Sequence, residues 1–517
     1  MILYPGLEFY IKDFFYNTSL ICDIMDEISM PSLNTLFPVT IFQEKIIFFG
    51  FVFLLGIVSV LGATFGATPS ILFLFALGVS FLGAFLFPRS SLFAMMTLVI
   101  LFERFFTLQP FISGKTVFKA YPIDMIVLGL LAALLVQWLL FRYRKQGIAW
   151  SDIWLMLFFG YVTLLFLLSV FGIAGSEAAV AFSTWKQYVF YGSIFFLVRL
   201  AVASFDDLKI FARVMLGSVA VALVFLLIGM VRGEGLWSEY TPLSTAGVRI
   251  LAFPHALYFS IAIITAFLLL ATNVVRSKWR MVLFVLVPML SLGIIGSLMR
   301  HLWLSLGIAL GIAFIMLPSE NRSRFARNAG AFLGVFALSA TLFFSVLALI
   351  PQSSLTENVL YSGNIISTRV TSIGDTYDES AVWRGAVWQS AFNRFAEQPI
   401  LGIGLGNSVP VELGDYRDII EVRNIHNSWF ALIVQTGIVG TVLFGLFLLS
   451  LFRQVFRLNL SDEWAMIARV IFLTLSIFFA SVFFFQPYLE TNLLSFFFWV
   501  TLGLMAIITR KEFFEQE

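Results

Sequence analysis

Cysteine is almost missing from this chain. Cys22 stands alone among 517 residues, which excludes an intrachain disulfide and a cysteine-based zinc site. Histidine occurs three times, and charged residues make up only 12% of the sequence, roughly half the share found in a soluble globular protein. The net charge is +2, so there is no basic footprint for nucleic acid. A basic leader is lacking too. The first 40 residues carry Glu8, Asp13, Asp23, Asp26 and Glu27, which argues against a signal peptide. Leu7 to Ile21 has the pattern of an interfacial amphipathic helix, but its acidity disfavours attraction to anionic lipid, and no function is assigned to it. The short alternating segments of a β-barrel are absent as well.

What the chain has in abundance is apolar length. It is 60% hydrophobic with 61 phenylalanines, and its mean hydropathy is +0.96. Apolar runs of about 18–22 residues recur, each long enough to cross roughly 30 Å of hydrocarbon. The expected fold is an all-α polytopic membrane protein of about 12–14 transmembrane helices. The spans read as 46–66, 70–87, 90–108, 123–141, 153–173, 188–203, 210–231, 253–272, 279–297, 301–317, 329–350, 428–452, 464–486 and 491–509. No internal repeat and no matched pair of broken helices is visible, so the inverted symmetry of many secondary transporters is not expected.

Basic residues in short loops orient such a bundle. Arg142, Arg144 and Lys145, then Arg276, Lys278 and Arg280, then Arg322, Arg324 and Arg327, then Arg453 and Arg457, and finally Arg510 and Lys511 all fall on one face by span parity. That face is expected to be cytoplasmic, with both termini on it. The chain then divides into a cytoplasmic or interfacial segment (1–45), a transmembrane bundle (46–350), one large extracytoplasmic loop domain (351–427) and the last three spans (428–517).

Several cations break that pattern. Arg232, Arg249, Arg300 and Lys186 fall at outer span ends. An ionisable group at such a depth is a functional-site hypothesis; the plainer reading is a side chain snorkelling to the headgroups. Arg249 precedes the eighth span, and Arg300 lies in the short turn Gly296-Ser297-Leu298-Met299-Arg300. Arg232 and Lys186 have no further support in the sequence.

The loop domain holds most of the clustered carboxylates. Within it, 380–397 reads as an amphipathic helix capped by Ser380, with Trp383, Val387, Ala391 and Phe395 at i+4 spacing and Trp388 and Phe392 beside them. This helix is expected across the outer mouth of the bundle, or as the core of a small domain, or as both. Gly402, Gly404 and Gly406 do not form a nucleotide loop, because no strand precedes them and no Lys-Ser/Thr follows. They are expected to allow a tight turn and close backbone approach. The pairs Asp375/Asp378 and Asp415/Asp418 carry oxygen ligands suited to a divalent cation, but read more simply as solvated loop charge. No metal site is expected. His426, flanked by Asn424 and Asn427, sits where the loop re-enters the membrane and is the candidate for chemistry. His301 beside Arg300, and His255 beside Pro254, are weaker candidates.

The order of these pieces resembles the O-antigen ligase and O-antigen polymerase family, also called lipid A core–O-antigen ligase-related. The matching parts are the Arg249 segment, the Gly-Ser-x-x-Arg turn ending at Arg300, and Trp383-Arg384. They continue with Glu397-Gln398-Pro399 leading into Gly402-Ile403-Gly404-Leu405-Gly406-Asn407, then His426-Asn427-Ser428-Trp429, and Gln435-Thr436-Gly437-Ile438-Val439-Gly440. The resemblance covers about 245–450. It implies a metal-independent membrane glycosyltransferase without cofactor, acting in the cytoplasmic membrane and serving surface polysaccharide synthesis. Such an enzyme moves a glycan from undecaprenyl pyrophosphate to a glycan or lipid-glycan acceptor on the outer face. On that resemblance Arg249, Arg300 and His426 are the catalytic residues, and Arg384, Gly404, Asn407 and Asn427 bind substrate. The family usually has about twelve spans, so fourteen is a departure.

The residues suit that chemistry on their own terms. Cleaving a sugar–pyrophosphate bond builds negative charge on the leaving group, which fixed guanidinium groups stabilise. A neutral imidazole can take the acceptor's proton. A polymerase of the same family fits equally well. A transporter or flippase predicts charges along a path through the spans, whereas these spans are nearly charge-free. A non-catalytic scaffold leaves the outer arginine–histidine set without a role.

Overall fold

The computed structural model describes residues 41–65, 70–102, 109–113, 116–139, 148–173, 177–231, 253–272, 274–349, 379–412, 419–458, 463–490 and 492–510. The chain divides into two compact units, 1–47 and 48–517. Of the first, only the opening of a helix is among the described residues. In order, the helices are α1 (Ile41–Phe65), α2 (Ser70–Leu86), α3 (Pro88–Phe102), α4 (Pro122–Leu139), α5 (Trp150–Val170), α6 (Ala178–Trp185), α7 (Ile194–Ala201) and α8 (Phe205–Val231). Then follow α9 (Phe253–Leu270), α10 (Ser277–Gly296), α11 (Arg300–Met316), α12 (Ser319–Leu349), α13 (Glu379–Glu397), α14 (Ser428–Phe456), α15 (Glu463–Phe485) and α16 (Phe496–Ile508).

Among the described residues, every expected span but the sixth falls on one of these helices. Among the described residues six of them, α4, α5, α8, α10, α14 and α15, are by length and composition able to cross a membrane. In hydrocarbon each backbone N–H and C=O must be satisfied within the protein, which is why apolar runs of this length become helices. The chain is an all-α polytopic membrane protein. Among the described residues two antiparallel hairpins are the exceptions: β1 (Gln109–Ser113) with β2 (Thr116–Ala120), and β3 (Val409–Glu412) with β4 (Ile419–Val422). The sixth expected span is not one helix. Residues 188–203 take in the end of a π-helical turn at Lys186–Phe190 and then α7, with α6 preceding them.

α2 packs on α4, α14 on α5, α9 on α10, α11 on α15, and α16 on α7. Aromatic rings fill the centre: Phe158, Phe195, Phe444, Phe447, Phe479 and Trp499 are fully buried. Polar contacts gather at the helix ends and sort them into two faces. On one face Lys186 Nζ meets Asp124 Oδ2 at 2.6 Å, Tyr188 donates to Glu490 Oε1 at 3.0 Å, and His301 Nε2 lies 3.0 Å from the Tyr488 hydroxyl. On the other, Arg199 grips Asp152 through two bonds of 2.9 and 2.5 Å, Arg89 meets Asp207 at 2.5 Å, and Gln454 reaches Ser151 at 3.4 Å. Each contact joins ends that span parity places on the same side. The Arg199–Asp152 pair is the most enclosed, at 2% and 3% side-chain exposure. Its fork geometry and the added bond from the Ala149 N–H offset a desolvation penalty that would otherwise exceed the attraction.

Candidate active site

The site is built around a break in a transmembrane helix. α14 begins at Asn427, whose side chain accepts the Phe430 N–H at 3.0 Å as an N-cap. It runs to Thr436 and breaks at Gly437, where φ is 65° and ψ is −169°. Gly437 lies nine residues past Ser428, about 14 Å down the helix at 1.5 Å per residue. A break there strands backbone groups in hydrocarbon. The Gly402 turn reaches down and satisfies them. Ile403 N–H donates to the Val434 carbonyl at 2.9 Å, and Gly404 N–H to that of Gln435 at 3.2 Å. In return, Ile438 N–H donates to Pro399 O at 2.9 Å and Val439 N–H to Ile400 O at 3.3 Å. Tyr161 of α5 places its hydroxyl 2.9 Å from the Thr436 carbonyl and 3.3 Å from that of Leu401.

The segment 398–406 is therefore a re-entrant turn, and two glycines make it possible. A Cβ on Gly402 would lie 2.5 Å from the Gly437 nitrogen, and one on Gly437 would lie 2.2 Å from the Ile400 oxygen. The tight-turn expectation for these glycines holds, and the approach is closer than the sequence conveyed. Ile400 and Leu401 at the tip are exposed, as are Ile438 and Val442 beside them, as suits residues turned toward lipid.

Above the turn, α13 and the β3–β4 hairpin share one core with the first turns of α14. Val387, Ala391, Val409, Ile425, Ala431 and Val434 are all buried in it. The α13 stripe is a core, and the helix also touches the bundle, with Trp388 donating to Ile425 O at 2.9 Å and its ring against Phe484 of α15. The helix starts at Glu379, so Ser380 lies inside its first turn and does not cap it.

His426 sits at the seam with φ 55°. Among the described residues it shares this left-handed conformation, outside glycine, only with Leu298. Backbone strain of this kind costs on the order of 1–3 kcal/mol and concentrates at functional sites. The two strained residues fall at the two places the sequence singled out: the imidazole, and the turn that leads into Arg300. The His426 N–H donates to Asn424 Oδ1 at 3.0 Å. Gln486 hydrogen-bonds the ring, while Nδ1 is buried and meets no hydrogen-bond partner among the described residues. Burial, and then the Arg384 guanidinium, hold this imidazole below its usual 6.5, with the Gln486 bond pulling the other way.

One short loop ties the parts together. Gln486 to Glu490 joins α15 to the turn before α16. Ser428 Oγ donates to Gln486 O at 2.8 Å and accepts the Leu489 N–H at 3.1 Å. Tyr488 meets His301, the residue after Arg300. Glu490 accepts from Tyr188 on the π-helical turn. The Arg300 end of α11, His426 and the α6 segment thus converge on this loop.

The remaining expected site residues fall as follows. Arg300 opens α11 and is half-buried. Arg384 lies in the second turn of α13, half-buried, with its charge acting on His426. Gly404 gives its N–H to α14, Asn407 donates its amide to Ile403 O, and Asn427 caps α14. These three have the named groups engaged by backbone. Lys186, expected to snorkel, is paired with Asp124 over the Tyr121 ring. His255 is buried beside Tyr258. Arg249, Arg232 and both Asp-x-x-Asp pairs lie outside the described residues. Among those described, no group of three or more His, Cys, Asp or Glu residues is arranged to hold a metal.

The sequence reading passed over Gln486, Glu490, Tyr188 and Arg423. Glu490 had a signal, being a lone carboxylate in the short turn between the last two spans.

A strained imidazole and half-buried arginines near one end of a multi-pass helical bundle make up the candidate site. Residues 284–445, from within α10 to within α14, match the family model described as O-Antigen ligase. Over that stretch the chain is similar to the O-antigen ligase family. No curated protein matches this chain.

Proposed function

We propose that this chain transfers a glycan from a polyprenyl-pyrophosphate donor to a hydroxyl acceptor, without a metal, at the face that carries His426. The observation that carries the reading is His426 itself: a strained backbone, Arg384 beside it, and a buried Nδ1 lone pair with no hydrogen-bond partner among the described residues. The acceptor oxygen attacks the anomeric carbon and its proton passes to Nδ1. The bond from that carbon to the pyrophosphate oxygen breaks, and the electron pair leaves with the pyrophosphate. Arg300 and Arg249 stabilise that growing charge through planar forks that fit phosphate oxygens. The polyprenyl tail stays in lipid. Ligase and polymerase share every one of these steps and differ only in the acceptor.

A reconstituted assay with polyprenyl-pyrophosphate glycan and acceptor tests this. Transfer should survive EDTA. Arg300→Ala should lower it by about 10²-fold, and Arg300→Lys should restore little, because the charge returns without the fork. Wild-type turnover in Arg300→Ala at matched protein levels would leave Arg300 as a membrane anchor. The reading also places the His426 face outside and both termini in the cytoplasm. With Cys22 removed, a cysteine at Ser353 should react with an impermeant reagent in intact cells and one at Ser323 should not. The opposite pattern would overturn the orientation.

A further inference from the structure

Glu490 has no part in the transfer just described, yet three separate segments meet on it. Tyr188 of the π-helical turn donates to its Oε1 at 3.0 Å. Gln435 of α14 bonds its carboxyl, while the same amide's Oε1 accepts the Gly406 N–H of the re-entrant turn at 3.2 Å. Arg423, in the segment after β4, acts on it by charge and donates to Thr184 Oγ1 at 3.1 Å and Val180 O at 3.4 Å on α6. Glu490's own loop carries Gln486 to the His426 ring. π-helical turns recur at functional sites, and this one presents Tyr188 to the carboxyl.

We propose that Glu490 is a positioning residue for transfer: its carboxylate holds Arg423, Gln435 and Tyr188 together, clasps the outer segment to the bundle, and sets Gln486 and so His426 for reaction. The facing groups explain why charge matters. Arg423 is the cation that acts on Glu490, Tyr188 is the titratable neighbour, and Gln435 is neutral. Both Tyr188 and Gln435 can donate to either protonation state. Arg423 is drawn only to the ionised one. Enclosure outweighs these three favourable partners and pushes the carboxyl up to about 7, although the residue as a whole is only half-buried. The clasp therefore closes as pH rises through neutrality.

The sign of the stability effect runs the other way. The folded carboxyl titrates near 7 and the unfolded one near 4.5, so folding takes up a proton between them. The stabilising contribution is full below 4.5 and is lost as pH rises through 7. The charged clasp thus costs stability at the pH where it positions the site. A glutamine would keep an acceptor for Tyr188 without that cost. This opposition between stability and positioning separates a functional carboxylate from a structural one.

The inference rests on the transfer reading, and two measurements keep the two apart. In wild-type protein, kcat/KM should fall as pH drops through about 7. Glu490→Gln should erase that limb and lower the rate at pH 8 several-fold, toward the low-pH level. Its thermal stability should lose the decline between pH 5 and 8 that the wild type shows. Tyr188→Phe removes a bond that favours the charged form, so the limb should move to higher pH. A Glu490→Gln protein with the wild-type pH–rate profile would overturn the proposal. Should that variant fail to fold, an unmoved limb in Tyr188→Phe would overturn it equally. If wild-type protein shows the stability titration but no transfer at any pH, the transfer reading has failed, and the clasp with it as a positioning device for that reaction.

Discussion

His426→Asn should fold and insert normally and lose about 10²–10⁴-fold in transfer, the range that one positioned acid–base group supplies. Asparagine is the informative replacement because of the backbone. At φ 55° a non-glycine residue is strained, and asparagine tolerates that region better than most. Alanine would confound a lost base with a rearranged loop. Asparagine keeps the turn and still hydrogen-bonds, but it cannot take a proton. On the proposed mechanism the arginines hold the donor, so donor binding should persist. The pH profile gives a second, independent reading. The imidazole is held below 6.5 by burial and then by Arg384, so it is neutral at pH 7. Its basic form disappears as pH falls through the lowered value. In the Glu490→Gln protein, where the limb near 7 is gone, one acid limb should remain below 6.5. Arg384→Gln removes one of the two influences that lower the imidazole, and that limb should move up toward 6.5. Near-normal turnover in His426→Asn would mean that the residue shapes the turn and another group takes the proton.

How much of this the sequence could tell depends on which physical quantity carried it. The helices were legible because apolar length is local, and among the described residues each run from 46–66 to 491–509 except the sixth lies on one helix. Which helix ends share a face was legible from span parity, and pairs such as Lys186–Asp124 and Arg199–Asp152 join ends that parity groups together. His426 was legible as a rare side chain at a membrane boundary. Its left-handed backbone, its missing Nδ1 partner and the nearness of Arg384 were not, because each depends on segments far apart in sequence. The sixth span misled for a related reason. Residues 188–203 read as one apolar run, whereas Lys186 to Phe190 form a π-helical turn whose Lys186 and Tyr188 bond Asp124 and Glu490, partners far away in sequence. Gly437 was hidden most completely. Glycine is common in membrane helices, so one inside an apolar run signals no break. Its meaning depends on Gly402, which comes 35 positions earlier.

That pairing leads to the largest structural effect expected. Gly437→Ala should leave little or no folded protein in the membrane. φ 65° with ψ −169° belongs to a region that is essentially glycine's own, at a cost of about 1–3 kcal/mol for any other residue. The added Cβ would stand 2.2 Å from Ile400 O and 2.5 Å from Gly402 N, both backbone atoms that cannot swing aside. Relief requires the re-entrant turn to withdraw. Withdrawal breaks the bonds from Ile403, Gly404, Ile438 and Val439, leaving donors and carbonyls of α14 unpaired at depth, each worth several kcal/mol in hydrocarbon. Gly406 would move with the turn and release Gln435, so the partners of Glu490 would loosen too. Gly402→Ala should fail in the same way from the other side of the contact, where its Cβ would meet Gln435 O at 2.5 Å. Gly445→Ala, eight residues further along α14, is the control. Nothing lies within 4 Å of its Cβ, and alanine there should be neutral or add about 0.5–1 kcal/mol. Detergent-extracted protein, followed by size-exclusion fluorescence and thermal unfolding, distinguishes the three. A monodisperse Gly437→Ala protein melting with the wild type would show that α14 can close across Gly437 without the turn, and the re-entrant segment would then not be what completes the broken helix.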